Sequence, residues 1–573
     1  MNTDKSTNDL YSLWLTKAED KEVLEELNSC KGDDDAIRDR FFRYLEFGTG
    51  GLRGVIGAGT NRMNIYTIGM TAQALADYLI SEGAEKSVAI AHDSRIKSDV
   101  FARYAACVLA SNGIKVHLYA ELAPTPMLSY AVRELKCGAG IVITASHNPA
   151  EYNGFKCYGS DGCQMTDHNA NRVYSFMQKL DIFDDVKTGD FDSLIDSGAI
   201  SYIDESVWES YYEKVVSCSV NPDVFEKADL SVLYTPLCGA GNKPVRAVLA
   251  KAGVKNISVV KAQEQPDGTF PGCPFPNPEI REAFAYSLEL AKTLCPELLL
   301  ATDPDGDRVG IAVRKDGDYV LMSGNEVGAM MMEYLLSKRK ENGTLPANPV
   351  VIKTIVTSDI GLKIAQFYKA EIRNLLTGFK YIGEQIGLLE AAGEENRFVM
   401  GYEESYGYLA GTYARDKDAV VASMIICEMA SYYKLQGKSL LEVMDGIYEK
   451  YGYFCHRTCD FVFKGESGMN KMAEIMESLR QNPPAEIAGH RVAIRRDYES
   501  GEELLIDSGA VNKITLPQSN VLSYIFENGG SFIARPSGTE PKIKFYLTAN
   551  AKNHEEGEAV LDALAAEAKK IAE

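Results

Sequence analysis

Short apolar runs that each stop at a polar loop recur along most of the chain, and this alternation with helical segments confines the fold to α/β layers. Ser87–Ala91 reads as a strand that ends in His92-Asp93-Ser94-Arg95. A helical segment, Asp99–Ser111, and a second strand, Lys115–Tyr119, follow. Gly140–Thr144 is another buried strand, with Ser146 just past its C-terminal end. In open α/β sheets, ligand chemistry collects at that end. The pattern restarts with the strands Leu230–Tyr234 and Leu298–Ala301, and again with Val350–Ile352 and Arg397–Met400. From about Tyr451 the texture changes to strands and hairpins. Asn528-Gly529 fits a tight turn between Leu522–Phe526 and Ser531–Ala534, and an amphipathic helix runs from Glu555 to Ile571. With 573 residues, the chain fits four domains, 1–205, 206–322, 323–450 and 451–573.

Composition narrows the partners. With 45% hydrophobic and 25% charged residues the chain resembles an ordinary globular protein. No apolar run approaches the ~18 residues of a membrane span, and the first residues carry no basic segment followed by an apolar one. A cytoplasmic chain with no membrane partner is expected. The 12 cysteines match no zinc spacing and no disulfide framework, and neither Cys157 with Cys163 nor Cys455 with Cys459 has a second ligand pair nearby in sequence. They read as reduced core residues. Net charge is −21, from 81 acidic against 60 basic residues, a field that repels nucleic acid. An anionic substrate would therefore need a local cluster of Arg, Lys and backbone N–H groups.

Four loops carry chemistry. In Thr144-Ala145-Ser146-His147-Asn148-Pro149, followed by Asn153-Gly154-Phe155-Lys156, a serine hydroxyl stands near groups for proton transfer and charge stabilisation. Taken alone, a nucleophile and a polar turn remain equally open; the flanking Ala145 and His147 are not those of a hydrolase elbow. Asp303-Pro304-Asp305-Gly306-Asp307-Arg308 offers three hard-oxygen ligands at alternate positions, suited to Mg²⁺. An EF-hand needs Gly and Glu where this chain has Arg308 and Arg314. In Gly401-Tyr402-Glu403-Glu404-Ser405-Tyr406-Gly407, Glu403 and Ser405 can hydrogen-bond vicinal sugar hydroxyls, although a plain acidic turn reads the same. In Arg535-Pro536-Ser537-Gly538-Thr539-Glu540-Pro541, Arg535 supplies a bidentate fork for phosphate, with Ser537, Thr539 and the Gly538 N–H to cradle its other oxygens. Lys542 and Lys544 add the local positive charge such a ligand requires.

Two lookalikes fail. Gly437-Lys438-Ser439 resembles the end of a P-loop, but Tyr432 stands where its first glycine belongs. Gly239-Ala240-Gly241 is followed by Pro244 in place of the third glycine of a dinucleotide fingerprint. Neither a nucleotide nor a nicotinamide cofactor is expected.

In this order, and starting from Gly48-Thr49-Gly50-Gly51-Leu52-Arg53-Gly54, the loops resemble the α-D-phosphohexomutase superfamily over nearly the whole chain. The length, the run 401–407, Arg415-Asp416-Lys417-Asp418 and Thr377-Gly378-Phe379-Lys380 look like its phosphoglucomutase/phosphopentomutase branch. Mannose- and glucosamine-type mutases usually carry a His near the end of the third loop, where this chain has Gly407. Cys238 stands where the family commonly has His.

The resemblance implies three similar mixed α/β domains and a C-terminal α+β domain around a central cleft. It implies phospho-Ser146 as donor, with Mg²⁺ held by Asp303, Asp305, Asp307 and a phosphoserine oxygen. Arg53, His147, Lys156 and Arg308 would line the reacting phosphoryl group, with Lys156 first and His147 second as proton-transfer partner. Thr377, Gly378, Lys380, Glu403, Ser405 and Lys417 would bind the sugar phosphate, and Arg535, Ser537, Gly538 and Thr539 its non-reacting phosphate. The implied reaction interconverts glucose 1-phosphate and glucose 6-phosphate, with glucose 1,6-bisphosphate as intermediate and activator. Phosphopentomutase, phosphomannomutase or glucose-1,6-bisphosphate synthase activity, or a non-catalytic sugar-phosphate sensor, are the alternatives. The partner is a small sugar phosphate, and the chain is a monomer or a homodimer.

Overall fold

The structure is a computed structural model that describes residues 5–48, 50–463, 465–537 and 542–573. The chain divides into two compact units. The first comprises Met1–Ser323, Phe379–Met400 and Ser405–Gly437; the second comprises Gly324–Gly378, Gly401–Glu404 and Lys438–Glu573.

The first unit contains two mixed sheets. One has six strands in the order Gly51–Val55, Tyr152–Gly159, Ala139–Ile143, Ser87–His92, Lys115–Leu118 and Ile200–Tyr202. The strands from Ala139–Ile143 onward run parallel, and Tyr152–Gly159 is antiparallel to both of its neighbours. Helices Ile65–Ser81 and Ser98–Ser111 share a core with this sheet, so Ala139–Ile143 is buried along its whole length. That explains the uninterrupted apolar run in the sequence. The other sheet has five strands in the order Asp318–Met322, Val309–Lys315, Leu298–Thr302, Ser231–Thr235 and Asn256–Val259. Its Leu298–Thr302 strand is buried throughout and delivers the chain directly to Asp303.

In the second unit Val350–Thr354 and Glu371–Leu375 pair in parallel, with helices Gly324–Glu341 and Ile360–Tyr368 alongside. The strand Phe398–Glu403 passes from the first unit into the second at Met400–Gly401. The C-terminal part is an antiparallel sheet built on Tyr453–Val462, Lys542–Ala551, Ser531–Pro536, Leu522–Phe526 and His490–Asp497. Helices Gly465–Gln481 and His554–Ala572 contribute to the single core beneath it. The expected turn closes where Gly529 donates its N–H to Phe526 O (2.9 Å) with φ +85°, a conformation that suits glycine.

Three α/β layers followed by a β-rich C-terminal part agree with the expected fold class. Two local readings change. Gly465–Gln481 is a helix inside the stretch read as strands and hairpins. Lys156, read as part of a loop, lies on the strand Tyr152–Gly159, opposite Gly51 on one side and Val142 on the other.

Candidate active site

Ser146 follows the strand Ala139–Ile143 in a left-handed conformation, φ +52°, which a non-glycine residue holds only under constraint. The constraint is visible. Ser146 donates its N–H to Thr144 Oγ1 (2.8 Å), and Thr144 donates in turn to Asp93 Oδ2 (2.6 Å). Asp93 also accepts from Ser98 Oγ (2.7 Å) and pairs with Arg95, both side chains being fully buried. The Arg95 guanidinium donates to the carbonyls of Ser146, Asn148, Pro149 and Tyr152. A buried ion pair thus clamps the backbone that presents the hydroxyl. Burial raises the Asp93 carboxyl, against the pull of Arg95 and its hydrogen-bond donors. Sequence reasoning missed this pair; the available signal was two opposite charges directly behind a buried strand.

The Ser146 hydroxyl donates to Asp303 Oδ2 (2.8 Å) and lies 3.3 Å from His147 Nδ1. Asp303 Oδ1 accepts the N–H groups of Asp307 (3.1 Å) and Arg308 (3.0 Å), which fixes the loop around it. Other segments of the same unit hold the loop from outside. Thr125 donates its N–H to Asp305 O (2.8 Å), Ala240 to Pro304 O (2.8 Å) and Ala419 to Gly306 O (3.2 Å). Gly239 approaches so closely that a Cβ there would stand 2.5 Å from Pro304 Cα. The Gly239-Ala240-Gly241 lookalike therefore has a packing role. The other lookalike ends in Ser439, which forms a capping box with Glu442 at the start of helix Leu440–Tyr451.

Asp303, Asp305 and Asp307 are all buried, and one carboxylate oxygen from each lies within 4.8 Å of the others. Asp305 Oδ1 and Asp307 Oδ1 are sealed from solvent and accept no hydrogen bond. Buried acceptors left this way cost free energy unless something binds them. Three convergent hard oxygens, two with spare acceptor capacity, fit a divalent cation such as Mg²⁺. Like-charge crowding would otherwise be severe. Burial, together with Asp305 and Asp307, pushes the Asp303 carboxyl well above the usual range. Burial also acts to raise Asp305, but Lys156, a hydrogen bond with Asp303 and Lys417 together outweigh it and hold that carboxyl low.

The compensating cations come from elsewhere in the first unit. Lys156 Nζ lies 2.8 Å from Asp305 Oδ2 and 3.5 Å from Asp307 Oδ2. Lys417 Nζ lies 3.2 Å from Asp307 Oδ2 and 3.0 Å from Asp416 Oδ1. Asp416 is itself buried and accepts from Tyr158 OH (2.7 Å). Arg308 reaches Glu279 (2.7 Å), with its Nε 3.8 Å from Asp307 Oδ1. Arg53 is exposed and donates to Asn148 Oδ1 (3.3 Å) in the Ser146 loop. Ser146, His147, the Asp triad, Lys156, Arg308, Lys417 and Arg53 therefore gather around one point.

Several of the other expected residues have partners of their own. In the first unit Lys380 bonds Asp167 (2.6 Å), and Ser405 is partly exposed. In the second unit Glu403 Oε1 accepts the Gly378 N–H (2.9 Å), while Thr377 Oγ1 is sealed without a partner. The neighbouring Glu404 accepts from Thr354 (3.2 Å) and Thr357 (3.1 Å). Arg535 Nη1 reaches Tyr546 OH at 3.5 Å, and Ser537 donates its N–H to Lys542 O (2.7 Å). Gly538 and Thr539 lie outside the described residues. The cysteines are free, and ten of the twelve are buried; Cys295 is exposed and Cys459 intermediate. Cys238 is buried and its thiol is pushed up to about 11 by that burial. Among the described residues no helix is long and apolar enough to cross a membrane.

Models of the phosphoglucomutase/phosphomannomutase alpha/beta/alpha domains I, II and III match residues 44–182, 209–317 and 323–451. The phosphoglucomutase of Staphylococcus haemolyticus (strain JCSC1435) is 37% identical over 518 residues, covering 90% of this chain and 92% of that protein. That of Staphylococcus aureus (strain bovine RF122 / ET3-1) is 35% identical over 552 residues, covering 95% and 96%. Among solved structures, pp63/parafusin (phosphoglucomutase) from Paramecium in its open form superposes with a TM-score of 0.68 at 18% identity, over 92% of this chain and 96% of that one. A phosphoglucomutase/phosphomannomutase family protein from Burkholderia thailandensis gives 0.66 at 17%, over 92% and 97%. These two likenesses establish a shared fold.

Proposed function

The chain belongs to the phosphoglucomutase/phosphomannomutase family of the α-D-phosphohexomutase superfamily, and from that premise we propose that it interconverts glucose 1-phosphate and glucose 6-phosphate through a phosphorylated Ser146. The observation that carries this reading is the Ser146 hydroxyl hydrogen-bonded to Asp303 within a cluster of buried carboxylates and the lysines that pair with them. The substrate preference is supported by curated phosphoglucomutases at 35–37% identity over most of the chain.

In the forward direction a sugar hydroxyl oxygen attacks the phosphorus of phospho-Ser146. The O–P bond to Ser146 Oγ breaks, and glucose 1,6-bisphosphate forms. The bisphosphate turns end for end, Ser146 Oγ takes back the other phosphoryl group, and glucose 6-phosphate leaves. Phosphoryl transfer depends on positioning and on neutralising the transferring oxygens. Asp303, Asp305 and Asp307 would hold Mg²⁺, which supplies part of that neutralisation. Arg53, Arg308, Lys156 and Lys417 supply the rest. His147, with Nδ1 3.3 Å from Ser146 Oγ, is assigned the proton at that oxygen in the unphosphorylated enzyme. Lys156, ion-paired to two carboxylates, is assigned to the incoming sugar hydroxyl. Thr377, Gly378, Lys380, Glu403 and Ser405 are assigned to the sugar, and Arg535, Ser537, Gly538 and Thr539 to its distal phosphate.

Within this reading the four domains keep the borders 1–205, 206–322, 323–450 and 451–573. The enzyme acts in the cytoplasm as a monomer or homodimer without nucleic acid, and glucose 1,6-bisphosphate primes it. The test is transfer of labelled phosphate from glucose 1,6-bisphosphate to the protein, mapped by peptide mass spectrometry, together with kcat/KM for glucose, mannose and ribose 1-phosphates. Label on Ser146 and a preference for glucose 1-phosphate are expected. Undiminished turnover by Ser146→Ala would end the phosphoserine assignment, and a higher kcat/KM for another sugar would end the glucose assignment.

A further inference from the structure

We propose that Cys455, His554 and Glu558 form a second metal site, of the zinc class, in the C-terminal part of the second unit. Cys455 lies on the strand Tyr453–Val462 and is buried. His554 is the first residue of helix His554–Ala572, and Glu558 follows one turn later on the same face. One ligand atom from each lies within 4.8 Å of the others. Cys455 Sγ and His554 Nδ1 are 3.8 Å apart. Tetrahedral zinc, with bonds of about 2.3 Å to sulfur and 2.0 Å to nitrogen, spaces such atoms about 3.5 Å apart. Closing the pair around a metal therefore takes a shift of a few tenths of an ångström.

The helix is built to approach the sulfur. A Cβ at Gly557 would stand 2.3 Å from Cys455 Sγ, so glycine alone leaves the thiol free to face His554 and Glu558. A thiolate, an imidazole and a carboxylate favour zinc-class ions over Mg²⁺. The thiolate and carboxylate together also neutralise a divalent charge. Glu558 Oε2 holds Arg457 Nη2 at 2.7 Å, but Arg457 Nη1 also holds Asp562 at 2.7 Å and stays paired if Glu558 turns to a metal. His554 is exposed, which gives the ion a route in and leaves its fourth position to water. On binding, the thiol proton of Cys455 passes to solvent as the sulfur–metal bond forms. The bound ion would pin the start of the helix to the strand. Sequence spacing hides the site because His554 lies 99 residues from Cys455.

The test is a Co²⁺ titration of the full chain in excess Mg²⁺, which occupies the Asp303 cluster, read at the thiolate-to-cobalt charge-transfer band in the near ultraviolet. One equivalent should saturate the band. Cys455→Ser should abolish it, and His554→Ala, a change at an exposed position, should weaken Co²⁺ binding at least about tenfold. Cys295→Ser and Cys459→Ser, which remove the less buried thiols, should leave the band unchanged. Absence of the band in the unaltered chain, its persistence in Cys455→Ser, unchanged affinity in His554→Ala, or its loss with Cys295 or Cys459 would each overturn the site.

Discussion

Ser146 Oγ donates a 2.8 Å hydrogen bond to Asp303 Oδ2 across 157 residues of sequence. The contact joins the end of one sheet's central strand to the end of another's, within a single unit. It sets the hydroxyl beside a carboxyl that burial and two neighbouring aspartates push well above the usual range.

Replacing Asp303 by Asn separates its two roles. Activity should fall by about 100- to 1,000-fold, because an anionic ligand and acceptor is lost where charge must be managed. Stability in chelator should hold or rise, since a carboxyl that burial and two like charges disfavour has been neutralised. Thermal unfolding in EDTA beside steady-state kinetics in Mg²⁺ checks both. A large loss of stability would contradict the electrostatic account.

Thr144→Val keeps the side chain's shape but breaks the relay between Asp93 and the Ser146 N–H. The unfolding free energy should drop by about 2 kcal/mol, the cost of leaving buried groups unsatisfied. Turnover should fall while KM changes little, because the hydroxyl is misplaced rather than the sugar site. Urea unfolding and a kcat-against-KM comparison measure the two effects.

Asp416 gives a pH dependence. Burial acts to raise its carboxyl, but Lys417, Lys156 and the Tyr158 hydroxyl outweigh that and hold it below the usual value. As pH falls the unfolded chain takes up this proton first. The stability Asp416 contributes is thus complete above about pH 4 and lost as pH falls through the lower folded value. Asp416→Asn should cost about 3 kcal/mol at neutral pH, and the gap to the unaltered protein should close in acid. Urea midpoints across pH test it; a constant gap would rule out the ionised carboxylate as the source.

Gly239→Ala places a methyl group where Pro304 backbone already stands. Overpacking of this kind costs about 1–3 kcal/mol, and here the displaced atoms belong to the Asp303 loop. Mg²⁺ affinity, measured by calorimetry, should fall along with stability. Gly387→Ala, inside the helix Phe379–Ala391 where no atom lies within 4 Å of the added carbon, is the control: Mg²⁺ affinity should be unchanged and stability should hold or rise.

The sequence was most legible where chemistry follows a buried strand. Ser146 and the alternate carboxylates Asp303, Asp305 and Asp307 stand out because polar groups rarely follow an apolar run without a reason. The structure brings the two loops together, which spacing alone could not do. Other features were hidden by distance. Arg95 was unreadable as a clamp because its carbonyl partners lie 51 to 57 residues away. The helix Gly465–Gln481 did leave a signal, since Met472, Ile475, Met476 and Leu479 recur at helical spacing and are buried. Its Gly- and Ser-rich opening and the hairpins around it masked that period. Lys156 reads as part of the Ser146 loop in the sequence, where Gly154 stands two residues before it. That glycine is required there, as a Cβ would meet Thr144 O at 2.5 Å.

Lys156 and Lys417 already pair with the aspartates. A newly synthesised chain carries its own counter-charges, so the centre can close before any ion reaches it. On the proposed reading, loading trades one set of partners for another, and removal of the divalent ion should leave a folded, inactive chain rather than a misfolded one.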